Sequence, residues 1–417
     1  MKAYYPELRL DRGKVEALYA EALEALAENL RTLSCFPRPV LTTGPGYPGI
    51  WQEHNHDSLF YADYDLAAAV ASHEIFYAFQ REDGLMPAMV RYDPATLETR
   101  VGYGQLQTVY PLAASAYAIW EKCRDEDFLR ESYEACRKYD AWLVRFRDTR
   151  GTGLVEMFCE YDTGQDNSPR ATDGGIPRAC PGKDAAVCPD NGILPIVAPD
   201  LSACRYRALR ALSDMARALG KDGEAREWDR KADRVKEKIY EFCYDEKDGF
   251  FYDLDASGAF RRYRAEHIFR LFVCGAVDQE DFDRIYEKHI MNPETFASPY
   301  PFPSVALDDP HFRARPLSNN WGGMSQAHTA LETLFWMRQY GRGEDFRGIA
   351  SIWMKKWLET GVFSQEVHPV TGEESGCAPH FTTSLIAFVR FAEELGYVSK
   401  PTCPSGAGRA ENRVERG

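Results

Sequence analysis

About eleven stretches of this chain repeat apolar residues at helical spacing, and they come in pairs joined by short polar links. The stretches are residues 13–34, 58–80, 105–124, 126–147, 201–219, 222–243, 263–275, 279–290, 322–341, 343–360 and 380–396. Links such as LGKDGE (219–224) and YGRGED (340–345) carry the Gly and Asp residues that end one helix and start the next. Asp200 or Ser202 is expected to cap the helix at 201–219, and Gly220 to stop it. No stretch shows sustained strand alternation bounded by hairpin turns, and FFYDLD (250–255) is the best strand candidate. Paired helices without a fixed period exclude a solenoid of repeats. The fold class expected is therefore all-α, a single-domain (α/α)6 barrel, or six-hairpin toroid, over residues 1–399. Residues 400–417, polar and Gly-rich, read as a disordered C-terminal tail.

In such a ring the loops between helix pairs open into one funnel. The long polar loops at 36–57, 148–200, 291–321 and 361–379 are then expected at the same end, where a rigid scaffold holds chemistry. Aromatic residues make up 13% of the chain, more than packing alone suggests, and their faces suit sugar rings. A net charge of -14 without Lys/Arg clusters argues against nucleic acid and anionic membranes as partners. The N-terminus lacks an apolar run of signal-peptide length, and no 18-residue apolar run occurs, so a cytoplasmic protein is expected. Its 11 cysteines are odd in number and have no zinc-like spacing; Cys180 and Cys188 read as free thiols. No metal or cofactor is expected. The partner class is a small carbohydrate substrate, with a homo-oligomer left open.

The densest polar stretch is EYDTGQDNSPR, residues 160–170. Glu160, Asp162 and Asp166 cannot all ionise when buried together, and a carboxyl that keeps its proton at neutral pH is what a general acid needs. Asp166 is the candidate acid, with Arg170 placed to hold a neighbouring carboxylate charged. The competing reading is an Asx-rich turn. Upstream, Trp51, His54, Asn55, His56 and Asp57 precede the 58–80 helix. Asp57 reads equally as a helix cap with Ser58, and two histidines at i, i+2 without a thiolate do not make a metal site. Gln105 and Gln107 stand at a helix start beside Tyr103 and Tyr110, where amides and phenols can read sugar hydroxyls or simply mark a helix entry. Asn319, Asn320 and Trp321 precede Gly322 and Gly323, which let backbone approach a ligand or serve a turn with positive φ. In the loop at 361–379, Glu366 has small or apolar neighbours and is the better candidate for a second carboxylate, whereas Glu373 and Glu374 look solvated. A helix resumes near His380, which joins the candidate sugar-contacting set.

QDNSPR (165–170), APDLSACRYRALRALSDMARALG (198–220), DEKDGFFYD (245–253), SNNWGGM (318–324) and EVHPVTGEESGCAPHFTTS (366–384) occur in the order found in one group. They resemble the clan of (α/α)6-barrel glycoside hydrolases that includes processing α-glucosidase I, mannosylglycerate and glucosylglycerate hydrolases, and the trehalases. Glycoside hydrolase family 63 is the nearest match, over about residues 50–395. The resemblance implies an inverting enzyme with Asp166 as general acid and Glu366 as general base. It further implies Asp57 as a ligand of a sugar hydroxyl and Trp321 as the tryptophan of a sugar-facing loop. Gln165 stands where the family often has Trp, N-W-G-G lacks the family's Arg, and H-D-S replaces W-D-S with Trp51 displaced. These departures bear on the sugar and the aglycone. The missing β-sandwich of larger members favours a small substrate.

The function expected is hydrolysis of an α-glycosidic, specifically α-glucosidic, bond in a small oligosaccharide or glycosyl-solute. Trehalase-like hydrolysis is the alternative within that class. A sugar isomerase or epimerase working through His54, His56, His328 and His380, or a non-catalytic sugar-binding barrel, would lie outside it. Inversion needs room for a water between sugar and base. A ligand-bound crystal structure is therefore expected to show the Asp166 and Glu366 carboxyl groups roughly 6.5–9.5 Å apart, and about 5 Å would mean a retaining nucleophile instead.

Overall fold

The computed structural model describes residues 4–315 and 319–401. Thirteen α-helices are formed among them: α1 (Arg12–Glu28), α2 (Asn55–Tyr61), α3 (Leu66–Ala78), α4 (Leu112–Cys123), α5 (Glu126–Phe146), the one-turn α6 (Pro169–Thr172), α7 (Pro199–Ala218), α8 (Asp222–Cys243), α9 (His267–Val273), α10 (Gln279–Ile285), α11 (Ala327–Gln339), α12 (Gly343–Thr360) and α13 (Thr382–Glu394).

Six helices close a ring. α2 packs on α4, α4 on α7, α7 on α9, α9 on α11, α11 on α13, and α13 returns to α2. An outer layer surrounds them: α1 lies on α13, α3 on α2 and α4, α5 on α4 and α7, α8 on α7, and α12 on α11 and α13. α10 completes that layer by setting Phe282 against Phe272, Trp336 and Tyr340. Side-chain patterning explains which helix goes where. α8 buries only Ala225, Trp228, Ala232, Val235, Ile239 and Cys243, a single stripe at helical spacing that suits an outer position. α9 buries all seven of its residues and α13 buries Thr382 to Ala392 without a break, as an inner helix covered on every side must.

The chain thus alternates outer and inner, and its connections sort by length. Inner-to-outer links at 62–65, 124–125, 219–221, 274–278 and 340–342 are short. Gly220 (φ 72°) ends α7 in the left-handed conformation that a side chain disfavours, as expected from the sequence. Outer-to-inner connections at 29–54, 79–111, 147–198, 244–266, 286–326 and 361–381 are long and meet at the other end of the ring. The (α/α)6 barrel and its funnel are as the helical periodicity indicated.

The departures are local. The stretch at 58–80 is two helices, because Asp65 caps α3 through Ala68 N. Neither Asp200 nor Ser202 caps α7, which starts at Pro199; Asp200 pairs with arginine, and the Ser202 hydroxyl donates to Ala198 O. Antiparallel pairs were missed. Residues 49–51, 89–92 and 99–102 form a three-stranded sheet, and Leu30–Leu33 pairs with Phe36–Leu41. Segments of three to six residues are too short for alternation to show. The candidate strand at 250–255 splits in two, Phe250–Phe251 pairing with Tyr244–Asp245 and Asp253–Leu254 with Phe260–Arg261. Cys180 and Cys188 are free thiols. Of the expected tail, residues 402–417 lie outside the described residues, while Lys400 reaches Asp63 at 2.7 Å. Among the described residues no helix is long and apolar enough to cross a membrane.

Buried ion pairs fasten the long loops to the ring. Arg170 donates to both oxygens of Asp253 (2.6 and 2.7 Å), to both of Asp200 (2.6 and 2.8 Å) and to Gln165 Oε1 (2.9 Å). It has no exposed side-chain surface. Burial opposes the Asp200 charge, but Arg170 and Arg270 overcome it and hold that carboxyl down at about 2. Removing the cation strands two buried carboxylates. Arg170→Met is expected to lower unfolding free energy by about 3–5 kcal/mol in chemical denaturation.

Candidate active site

The acid-rich loop is held by buried hydrogen bonds of its own. Asp162 accepts from Arg147 (2.5 and 3.1 Å) and from the backbone N–H groups of Leu106, Phe158 and Cys159. It is spent on structure. Gly164 then turns with φ 67°, and Asp166 emerges between that turn and α6, whose first residue is Pro169.

Three hydrogen bonds join this loop to residues 319–321. Asn319 Nδ2 donates to Asp166 Oδ2 (2.7 Å), Asn167 Nδ2 to Asn319 O (2.7 Å), and Trp321 N to Asp166 O (3.0 Å). Glu160 sits behind, accepting from Asn167 N (2.7 Å) with Arg178 Nε 3.7 Å away. Asp166 Oδ1 is buried and meets no hydrogen-bonding partner among the described residues. Burial pushes the Asp166 carboxyl well above the usual carboxylate range, and the neighbouring Glu53 and Glu160 push it further, against Arg178 and the Asn319 amide.

Glu366 is positioned by a strand pair, Ser325–Gln326 against Glu366–Val367, in which Gln326 and Glu366 are opposed. Its Oε2 accepts from Asn320 N (2.8 Å) and Gln326 Nε2 (2.6 Å), and its Oε1 has no partner among the described residues. Burial raises this carboxyl too, while Asn320 N, the Gln326 amide and the Ser375 hydroxyl pull it back. Asn319 and Asn320 thus tie the two carboxyls to consecutive residues.

The recess beneath the loops spans about 490 Å3, counting its opening to solvent, and includes Tyr47, Trp51, Glu53, His54, Gln107, Gly164, Asp166, Asn319, Trp321, His328, Gln365 and Phe381 in its lining. It combines aromatic walls with a few convergent polar groups, the usual make-up of a small-molecule site. Of the residues singled out from the sequence, Trp51, His54, Gln107, Asp166, Asn319, Trp321 and His328 face it. Glu366 follows the lining residue Gln365. Asn320 serves by its backbone, its amide bonding Arg313 O and Arg315 O.

Others stand elsewhere. Asp57 is buried below the recess in the first turn of α2, not at its cap, and accepts from the Thr383 hydroxyl (2.8 Å). Tyr103 donates to Phe79 O (2.6 Å), and Gln105 stands behind Gln107, donating to its Oε1 (2.9 Å). Arg170 is a scaffold residue. Gly322 is needed because a Cβ there would lie 2.8 Å from Asn320 Oδ1, a loop contact in place of a ligand approach. His380 is exposed and outside the recess. Sequence reasoning passed over Glu53, although EHNHD (53–57) was the signal that contained it.

Histidines gather at the floor. The His54 ring lies 5.7 Å from that of His328, and His56 lies 4.5 Å from it. Burial opposes a charge on His54, yet Glu53 and Asp57 on either side overcome it and raise its pKa to about 9. Burial pushes His56 down to about 4 and His328 well below its ordinary value.

A ring of paired helices with two unlike carboxyls above an aromatic recess defines a barrel built for sugar chemistry. The chain belongs to the mannosylglycerate hydrolase MGH1-like glycoside hydrolase family, whose model matches residues 47–384. It is similar to the GH63 mannosylglycerate hydrolase of Thermus thermophilus in complex with glucose, at 20% identity and a TM-score of 0.72, over 89% of this chain and 99% of that one. Neutral trehalase Nth1 from Saccharomyces cerevisiae is similar at 14% identity and a TM-score of 0.63, over 89% of this chain and 80% of that one. These likenesses establish the fold. An uncharacterized protein of Borreliella burgdorferi is 22% identical over 239 residues, 57% of this chain and 44% of that protein, so the match spans less than half of that relative.

A carboxyl raised in the folded state works against folding as pH rises from its unfolded pKa through its folded one. Asp166→Asn removes that opposition and keeps an acceptor for Asn319. The variant is expected to melt above the wild type at pH 8, with the difference shrinking as the pH falls toward 4, as thermal denaturation across that range will show.

Proposed function

We propose that this glycosidase inverts the anomeric centre of an α-linked, specifically α-glucosidic, sugar on a small solute or short oligosaccharide, with Asp166 as general acid and Glu366 as general base. The observation that carries this reading is the unlike treatment of two carboxyls tied to neighbouring residues. Asp166 has one donor and lies among like charges, so it keeps a proton to give. Glu366 is held by Asn320 N and Gln326 on one oxygen, with the Ser375 hydroxyl adding to them, and these donors favour its ionised form. The raised value makes it a stronger base than a free carboxylate.

Asp166 passes its proton to the glycosidic oxygen as the bond to the anomeric carbon lengthens. Glu366 takes a proton from the water that attacks the opposite face, and the product carries the inverted configuration. The Asp166 carboxylate and the protonated Glu366 then exchange protons with solvent. The family's description and the mannosylglycerate hydrolase and trehalase among the similar structures support a small α-glycoside. The barrel over 1–399 is the catalytic unit in this reading. We assign it to the cytoplasm, where Cys180 and Cys188 would stay reduced. A histidine-based isomerase is disfavoured, since His54 at about 9 and His56 at about 4 straddle the neutral range in which a catalytic histidine works.

The test is a screen of α-mannosyl- and α-glucosyl-glycerate, trehalose and other α-linked disaccharides, with the first product anomer read by NMR. Initial release of the cleaved sugar as its β-anomer is expected, with trehalose giving one α- and one β-glucose; release of the cleaved sugar only as its α-anomer rules out inversion. Asp166→Asn and Glu366→Gln should each reduce turnover by about 100-fold or more. With a glycosyl fluoride, whose leaving group needs no proton, Asp166→Asn should recover much of its rate and Glu366→Gln should not. The kcat/KM profile should be bell-shaped, with both limbs above the usual carboxylate range, rising as Glu366 ionises and falling as Asp166 loses its proton.

A further inference from the structure

Glu53 is the second carboxylate in the lining of the recess, and neither the acid nor the base role uses it. Its Oε2 accepts from Gln107 Nε2 (2.8 Å), and its Oε1 lies 3.0 Å from His54 Nε2. Gln107 is held for this contact. Gln105 donates to its Oε1, which fixes the amide so that its N–H points at Glu53, and Gln107 adopts φ 54°, rare for a residue with a side chain. From the other side the carboxylate presses on the acid loop. A Cβ at Gly164, two residues before Asp166, would lie 2.1 Å from Glu53 Oε2. Only glycine leaves room for a carboxylate so close to that backbone. Gln107, the His54 cation and the Gly164 turn therefore converge to hold a carboxylate in the recess that Asp166 also lines.

We propose that Glu53 is the positioning residue of the acid: a clamped carboxylate whose charge, set against the Gly164 turn, keeps the proton on Asp166 until a glycosidic oxygen arrives. The proposal rests on the reading of Asp166 as the proton donor. The other groups facing Asp166 divide around it. Glu160 adds like charge but is engaged by Asn167 N; Arg178 opposes, from a side chain 69% exposed to solvent; Asn319 donates to Oδ2 and favours the ionised form; Tyr47 and Tyr161 are neutral phenols nearby. Around Glu53 itself stand Gln107, His54 and, behind His54, His56 and His328. Glu53 is thus the nearby negative charge that structure has gone furthest to hold, and burial of Asp166 is reinforced by it.

The experiment pairs two readouts in Glu53→Gln, with Glu53→Asp as the conservative control. In the first, the 13C-labelled carboxyl of Asp166, assigned by its loss in Asp166→Asn, is titrated with pH. Its midpoint is expected to fall in Glu53→Gln and to return toward the wild type in Glu53→Asp. In the second, the alkaline limb of kcat/KM for the best substrate of the glycoside screen should move to lower pH with it, a tenfold loss in that arm for each pH unit moved. A merely structural role for Glu53 would lower rates at every pH without moving the limb. An unchanged Asp166 midpoint in a folded Glu53→Gln overturns the proposal. A midpoint that moves while the alkaline limb stays put upholds the coupling and instead overturns Asp166 as the acid. Should Glu53→Gln fail to fold, Gln107→Leu, which removes the donor on Oε2, replaces it, and again an Asp166 midpoint that does not change overturns the proposal.

Discussion

One guanidinium, cut off from water, holds the loop that carries Asp166. Arg170 engages Asp200 on the inner helix α7, Asp253 on a short strand, and Gln165 next to the acid. The Gln165 amide in turn reaches Glu266 at the start of α9, which pairs with Arg270 at 2.9 Å, and Arg270 donates to Thr163 O. Thr163 and Gln165 bracket Gly164, so the turn before Asp166 is gripped from both sides by charges that belong to the ring. A buried ion network of this kind adds little net stability and fails badly when one member is lost. What it supplies is a loop with one conformation.

That rigidity makes the electrostatics above it tenable. Asp166 and Glu53 share a recess with no Lys or Arg in its described lining, and Glu160 stands just behind. Left mobile, such carboxyls would swing into solvent. Here each has donors from a different element: Asn319 for Asp166, Asn167 for Glu160, Gln107 for Glu53, and Gln326 with Asn320 for Glu366. Burial raises both Asp166 and Glu366, but Glu53 and Glu160 push Asp166 further while the donors on Glu366 pull it back. The amides at 319 and 320 matter most here, because adjacent residues touch Asp166 and Glu366 and a shift of their loop would move both partners together.

The helices were legible because their signal is local. Apolar spacing within α8 or α5 marks one buried face whatever the rest of the chain does. The order of short and long links then fixed which end would gather the loops, and the Asp- and Glu-bearing loops at 160–170 and 361–379 could be singled out by their density of polar residues. Strands of two to six residues left no such trace. Nor did a contact such as Asp166 with Asn319, 153 positions apart, or Gln165 with Glu266, 101 apart.

By itself, then, the sequence determined an all-helical ring, a funnel at one end, and Asp166 and Glu366 as the pair to watch, because period and local composition are properties of neighbours along the chain. Only the tertiary structure decided what each charged residue is for. Arg170, placed by the sequence to hold a neighbouring carboxylate charged, is a buried clamp on Asp200 and Asp253; Asp57 sits in the first turn of its helix in place of capping it; Asp162 belongs to Arg147. Glu53, unremarked in its loop, lines the recess with Asp166. The reason is physical: a carboxyl's proton affinity depends on burial and on charges a few ångströms away, and those neighbours are chosen by the closing of the ring.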